Sequence, residues 1–264
     1  MIPRAAITAW RARAPWATDA QVEQDLVISR ALVDIYGHEL LGRSLAFRGG
    51  TALHKLLFAK PGRYSEDIDL VQVEPGPIGP VLQSMRSCLG PWLGEPRWAR
   101  SQGRVTFVYR FESETLPATP LRLKVEINTR EHGAVLGPHH LRHAVTGSWH
   151  AGEADVLTFA PEELLATKLR ALYQRAKGRD LFDLAHALEQ RPDLDAKSIV
   201  GCFQSYMARD GLRVTRRQFE QNLTRKMFDA AFLMDVPPLL APGLRYDPAG
   251  ANAIVMEKLV ALIS

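Results

Sequence analysis

The stretch FRGGTALHKLLFAKPGRYSEDIDLV, Phe47 to Val71, decides how the chain is read. It holds a glycine pair, Gly49-Gly50, followed by Thr51, and ends in Asp67-Ile68-Asp69. If the last part is a strand, Asp67 and Asp69 share a face and stand roughly 6.6 Å apart along it. Ile68 and Leu70 take the other face. Two acids on one face make a poor core and a good cation site. Leu45-Ala46-Phe47 reads as a buried strand entering the glycine turn, and Thr51 to Phe58 resumes helical spacing. Glycines let a backbone approach a ligand closely, and a helix N-terminus behind them favours phosphate. A glycine pair alone is common in turns, so the order strand, turn, helix, acid pair carries the weight.

Upstream, residues 17–41 read as a helix, with Val22, Leu26, Ile28, Leu32, Val33 and Ile35 near helical spacing and Thr18 or Asp19 as N-cap. Glu23 and Asp25 either complement the helix dipole or orient a basic group of the site. Downstream, Ile78 to Leu89 reads as a helix stopped by Gly90-Pro91, and Val105 to Glu112 as a strand. LRLKVEIN, residues 121–128, alternates clearly: Arg122, Lys124, Glu126 and Asn128 share one face. Glu126 then either completes a three-carboxylate cluster with Asp67 and Asp69 or belongs to a solvated strand face. Five histidines fall between 131 and 150, but no carboxylate or cysteine accompanies them at zinc spacing. Gly137-Pro138 before His139 reads as a loop.

From about residue 155 the composition turns helical. Pro161 opens a helix carrying Lys168, and a second follows with Asp180 in its first turn and Asp183 one turn on. By local rules Asp180 would be an N-cap and Asp183 a partner of Arg179 or Lys177. Residues 215–233 set Arg216, Arg217, Arg225 and Lys226 around Phe219 and Leu223, as a solvated helix face or an RNA-facing surface.

Bulk properties exclude several classes. The 264 residues suffice for one large or two modest domains, and 46% hydrophobic with 23% charged residues is ordinary for a globular protein. A net charge of +4 is only a mild lean toward polyanions. Two cysteines, Cys88 and Cys202, with no paired spacing argue against a disulfide scaffold and for a reducing cytoplasm. No apolar run approaches the roughly 20 residues a membrane helix needs, so no membrane partner is expected.

Carboxylates behind a phosphate-cradling turn suit two-metal phosphoryl or nucleotidyl transfer, with magnesium on hard oxygens. At FRGGTALHKL (47–56), RYSEDIDL (63–70), LKVEIN (123–128) and LLATKLRALYQRAKGRDLFDL (164–184) the chain resembles the AbiEii-type, MenT-like nucleotidyltransferase toxins of the DNA-polymerase-β superfamily. QVEQDLVISRAL (21–32) resembles their leading helix. The likeness spans roughly the first 185 residues, Arg63 to Leu70 being its most specific block.

The resemblance implies an α+β fold: a polymerase-β-like core with a mixed sheet flanked by helices over residues 1–155, and a mainly helical domain over 156–264 that completes the active-site cleft. It implies that Asp67 and Asp69 bind the catalytic metals, two Mg²⁺ ions, with Glu126 as third acid. Gly49, Gly50, Thr51, Arg63 and Ser65 would hold the phosphates of an NTP substrate. Lys168 would reach the triphosphate, and Asp180, with Asp183 as rival, would be the acid of the fourth motif. It also implies a toxin that adds nucleotides to the 3′ end of tRNA and is neutralised by a separately encoded antitoxin, a DNA-binding protein encoded nearby. A protein acceptor, or a nucleotide- or RNA-binding module without catalysis, are the competing expectations.

Overall fold

The computed structural model describes residues 2–264. The chain forms two compact units: Met1–Leu57, Tyr64–Ala134 and Pro138–Phe159 make the first, and Phe58–Arg63, Val135–Gly137 and Ala160–Ser264 the second.

In the first unit, α1 (Arg4–Trp10) precedes α2 (Asp19–Gly37), whose start is fixed by a capping box. The Thr18 hydroxyl accepts from the Gln21 backbone while the Gln21 side chain accepts from the Thr18 N–H. The helix is buried over most of its surface, acids included. Asp25 is not spent on the helix dipole. Its carboxylate accepts from Lys55 Nζ at 2.6 Å, Trp10 Nε1 at 2.7 Å and Trp16 Nε1 at 3.0 Å. Glu23 accepts from the backbone N–H of Glu114.

After α3 (Glu39–Ser44) come β1 (Leu45–Arg48), α4 (Gly49–Ala52) and a π-helical turn, Leu53–Leu57. The expected single helix over 51–58 is thus an α-turn widened into a π-turn, and the widened turn carries Lys55 to Asp25. Next follow β2 (Asp67–Gln72), α5 (Gly79–Leu93), β3 (Arg97–Ser101), β4 (Arg104–Glu112), β5 (Pro120–Asn128), β6 (Pro138–Val145) and β7 (Gly152–Phe159). Helix α5 runs through Gly90-Pro91, where the sequence suggests a stop. His139, His140 and His143, where the sequence suggests a loop, lie on β6.

The seven strands form one mixed sheet in the order β3-β4-β5-β2-β1-β7-β6. β2 lies between β1, antiparallel to it, and β5, parallel to it. The apolar strand positions Ile68, Leu70, Phe107, Tyr109, Leu123, Val125 and Ile127 are all nearly inaccessible and form the core face. Alternation leaves the polar positions of the same strands on the opposite face.

The second unit is helical: α6 (Pro161–Gln174), α7 (Gly178–Gln190), α8 (Ala196–Arg209), α9 (Arg216–Lys226), α10 (Ala230–Leu233) and α11 (Pro248–Lys258). Phe203, Phe219, Leu223 and Phe232 fill its core. Lys226 of α9 turns back to donate to the Leu172 and Tyr173 carbonyls at the end of α6. Among the described residues no helix is long and apolar enough to cross a membrane.

Candidate active site

The local path from β1 to β2 explains why the acid pair sits where it does. Gly49 follows β1 with φ +84°, a region that residues with a Cβ rarely adopt. A Cβ there would also lie 2.3 Å from Asp69 Oδ2. The glycine therefore lets the Asp69 carboxylate rest directly against the turn. Thr51 Oγ1 donates to the Asp67 carbonyl at 2.5 Å and lies 2.8 Å from Ser65 Oγ. Its one proton goes to the carbonyl, so Ser65 donates to Thr51. These hydroxyls tie the glycine turn to the first residue of β2, which fixes Asp67 as Gly49 fixes Asp69.

Register brings the second strand in. Asp67 pairs with Lys124 and Asp69 with Glu126 across β2 and β5, while Arg48 of β1 pairs with Asp69. Lys124 Nζ lies 3.7 Å from Asp67 and forms a closer ion pair with Glu126. Arg104 also bonds Glu126, at 2.9 Å. Arg48 reaches Glu131 at 2.8 Å. The three acids expected together thus share one face, but the Glu126 carboxylate is turned to Lys124 and Arg104. Among the described residues no three His, Cys, Asp or Glu side chains converge on one point as a metal cage.

Electrostatics separate the acids. Burial pushes the Asp67 carboxyl above the usual range; Lys124 holds it back, and the charges of Glu66 and Glu126 add to the rise. Burial also works against the charge of Glu126, but the hydrogen bond and charge of Lys124, with Arg104, hold its carboxyl below the usual range. Burial disfavours the charged Lys124 too, yet its bond to Glu126 and the charges of Asp67 and Asp69 raise it above an ordinary lysine. An ammonium drawn onto this face shows the field there: it is a place that gathers positive charge. The donor set, all carboxylate oxygen, fits a hard divalent cation such as Mg²⁺. Lys124 was not singled out in the sequence; the signal was its place on the same alternating face as Glu126.

The remaining expected residues lie in the second unit. Arg63 donates to Asp183 through Nε at 2.7 Å and Nη2 at 2.6 Å, and both side chains are buried. Lys168 is bracketed by Asp183 at 2.9 Å and Asp180 at 3.2 Å. Arg175 closes the cluster with two bonds to Asp180, at 2.7 and 2.9 Å. Burial opposes the charge of Asp180, but Lys168 and Arg175 outweigh it and hold the carboxyl below the usual range. The local expectations for the two acids are corrected here. The N-cap of α7 is Lys177, and Asp183 takes Arg63 and Lys168 in place of Arg179 and Lys177, which approach Asp235. Gly178 is required at the head of α7, since a Cβ would sit 2.1 Å from the Phe232 carbonyl oxygen.

Residues 30–247 match the family described as nucleotidyl transferase AbiEii toxin, type IV toxin–antitoxin system. The chain belongs to the AbiEii nucleotidyltransferase toxin family. It is therefore a nucleotidyltransferase, and its system type implies a cognate antitoxin. Its fold is similar to that of MenT4, a nucleotidyltransferase toxin from Mycobacterium tuberculosis, with a TM-score of 0.59 and 20% identity over 100% of both chains. A nucleotidyltransferase-like antigenic protein from Paracoccidioides brasiliensis aligns at a TM-score of 0.40 and 17% identity, over 74% of this chain and 92% of that one. None of the curated proteins matches the chain. For an AbiEii chain the mixed sheet with its helical C-terminal region is the expected architecture, as the motifs implied.

Proposed function

We propose that this AbiEii toxin transfers a nucleotide from an NTP to the 3′ end of tRNA in a magnesium-dependent reaction, and that the acceptor-blocked tRNA halts translation in the cytoplasm. The observation that supports this most is the pair Asp67 and Asp69 on one strand face, closed against the Gly49 turn, with Glu126 in register beside Asp69. Asp67 and Asp69 would hold magnesium, one or two ions, with Glu126 as the third acid. Bound there, magnesium would supply neutralisation of the charge on the transferring phosphate and the leaving pyrophosphate.

The chain's own groups do the rest. Gly49 and Gly50 bring bare backbone to the phosphates, and Thr51 and Ser65 hold that turn in place. Lys124, already shared between Asp67 and Glu126, opposes protonation of both carboxylates and would yield its place to a better cation. In the second unit Asp180 and Asp183 hold Lys168 and Arg63, the two cations that the resemblance gives to the triphosphate. The 3′ hydroxyl of the acceptor attacks the α-phosphorus, its proton passes to solvent, the bond to the β-phosphate breaks, and pyrophosphate leaves.

The test is incubation with each labelled NTP, magnesium and either total RNA or total protein. Label at the 3′ end of tRNA is the expected result. Label confined to protein would replace the tRNA reading with protein nucleotidylation, and NTP binding without turnover would leave a non-catalytic module.

A further inference from the structure

The same face that carries the acids extends outward across β5, β4 and β3, and it is set with arginines. Strand alternation and register put Arg97 of β3, Arg104 and Arg110 of β4 and Arg122 of β5 on the side of Asp67 and Asp69. All four are exposed, Arg104 at 58% and Arg122 at 65%. The opposite side of these strands is the core, with Val105, Phe107 and Tyr109 buried.

Two features make this more than a solvated surface. Arg110 stands directly opposite Arg122 in the β4–β5 pair. Like charges facing each other across a strand pair destabilise a sheet, and an anion between them would remove that cost. Arg97 and Arg110 also have no carboxylate partner among the described residues. The nearby acids are few: Glu126 holds Arg104, Glu66 stands 4.0 Å from Arg122, and Glu112 shares the face two residues beyond Arg110. Ala99, Ser101 and Thr106 share the face, small groups that leave it flat.

We propose that this face is the track for the sugar-phosphate backbone of the acceptor RNA, whose 3′ end it delivers to Asp67 and Asp69. The proposal rests on the transferase reading above. Guanidinium forks match phosphate oxygens two at a time, which favours a polyphosphate over an acidic peptide. Successive strands are about 4.8 Å apart, so the track from β2 to β3 covers about 14 Å. Along that span a polymer passing the site would meet one arginine-bearing strand after another. The only tryptophan on these strands, Trp98, pairs with Phe107 on the other face, so no aromatic ring stands on the track for bases to stack on. Recognition is of backbone and is indifferent to sequence.

Fluorescence anisotropy with 5′-labelled bulk tRNA, titrated at several salt concentrations, tests this. In the Arg97→Gln/Arg110→Gln/Arg122→Gln protein the Kd should rise about tenfold or more, and the slope of log K against log salt should fall by about two to three, near 0.9 per lost phosphate contact. KM for RNA should rise while KM for NTP and kcat at saturating RNA stay as in the wild type. The melting temperature should hold or rise, because a like-charge pair has gone; should the triple variant fail to fold, Arg97→Gln alone should lower the slope by about one. Unchanged RNA affinity and slope in a wild-type protein that does label tRNA would overturn the track and leave the transferase reading standing. A raised KM for NTP would also overturn it, by assigning the arginines to the triphosphate. A wild-type protein that binds no tRNA and labels only protein would remove the acceptor reading first, and the track with it.

Discussion

Gly49 and Asp69 compete for one volume: a methyl group on the first would sit 2.3 Å from a carboxylate oxygen of the second. The turn and the acid are therefore a single device, and the glycine is set by the carboxylate as much as by its own φ of +84°. Gly49→Ala should cost about 1–3 kcal/mol of stability from the forced backbone conformation. It should lower nucleotide transfer by about a hundredfold, since displacement by an ångström at a reacting centre costs that much. Thermal unfolding and single-turnover transfer measured on the same sample check both. Full activity in a stable Gly49→Ala protein would separate the turn from the chemistry.

Lys124 should set the acid limb of the pH profile. In the proposed reaction the ionised form of Asp67 would hold the cation. Burial already lifts its carboxyl above the ordinary range while Lys124 opposes the rise. Activity should thus fall, on acidification, at a pH above that of an ordinary aspartate. Lys124→Met removes the opposing charge, so the limb should move to still higher pH. A limb that stays put, or moves down, contradicts this role.

His143 makes the first unit acid-sensitive. It is buried, its Nε2 has no partner among the described residues, and burial, aided by the charge of Lys55, lowers its pKa to about 4. Between about 4 and the usual histidine value of about 6.5, the unfolded chain binds the proton and the folded chain does not. Stability therefore rises with pH across that window. Acidification to pH 4 should remove on the order of 3 kcal/mol. Denaturant unfolding at stepped pH values measures it, and His143→Phe should flatten the curve. His150 and His186, also lowered by burial, act in the same direction, and the raised carboxyls of Glu23 and Asp67 oppose them, so the difference between wild type and His143→Phe isolates this histidine.

Asp183 holds the second unit's ion cluster together. It is fully buried and serves both Arg63 and Lys168. Asp183→Asn removes the negative charge shared by a buried guanidinium and a buried ammonium and should cost about 3–5 kcal/mol, the usual consequence of halving a buried pair. Calorimetry of the variant checks it; a loss within a fraction of a kcal/mol would show that water reaches Arg63.

The sequence made the acid pair, the glycine turn and the alternating LRLKVEIN strand legible because each is local: spacing alone sets which face a residue takes. What it left hidden depends on partners distant in the chain. Lys124 joins the site only because β5 lies parallel to β2 in a register that seats it beside Asp67. For Asp25 the sequence leaves open a dipole role or a basic partner, and only the π-turn, which brings Lys55 to it across 30 positions, names that partner. Asp183 sat one turn from plausible basic neighbours, yet Arg63, 120 residues upstream, takes it with better fork geometry. Strands β3, β6 and β7 were missed as strands. β3 carries arginine at two of five positions, and β6 opens on Pro138 and carries three histidines, so neither shows the apolar alternation of a half-buried strand.

The central claim is that Asp67 and Asp69 carry metal-dependent nucleotide transfer. The most direct measurement is transfer from labelled NTP to tRNA by Asp67→Asn and Asp69→Asn proteins over a magnesium titration, with circular dichroism to verify folding. Both variants should fold, with transfer abolished at every magnesium concentration. Wild-type transfer by either variant would contradict it.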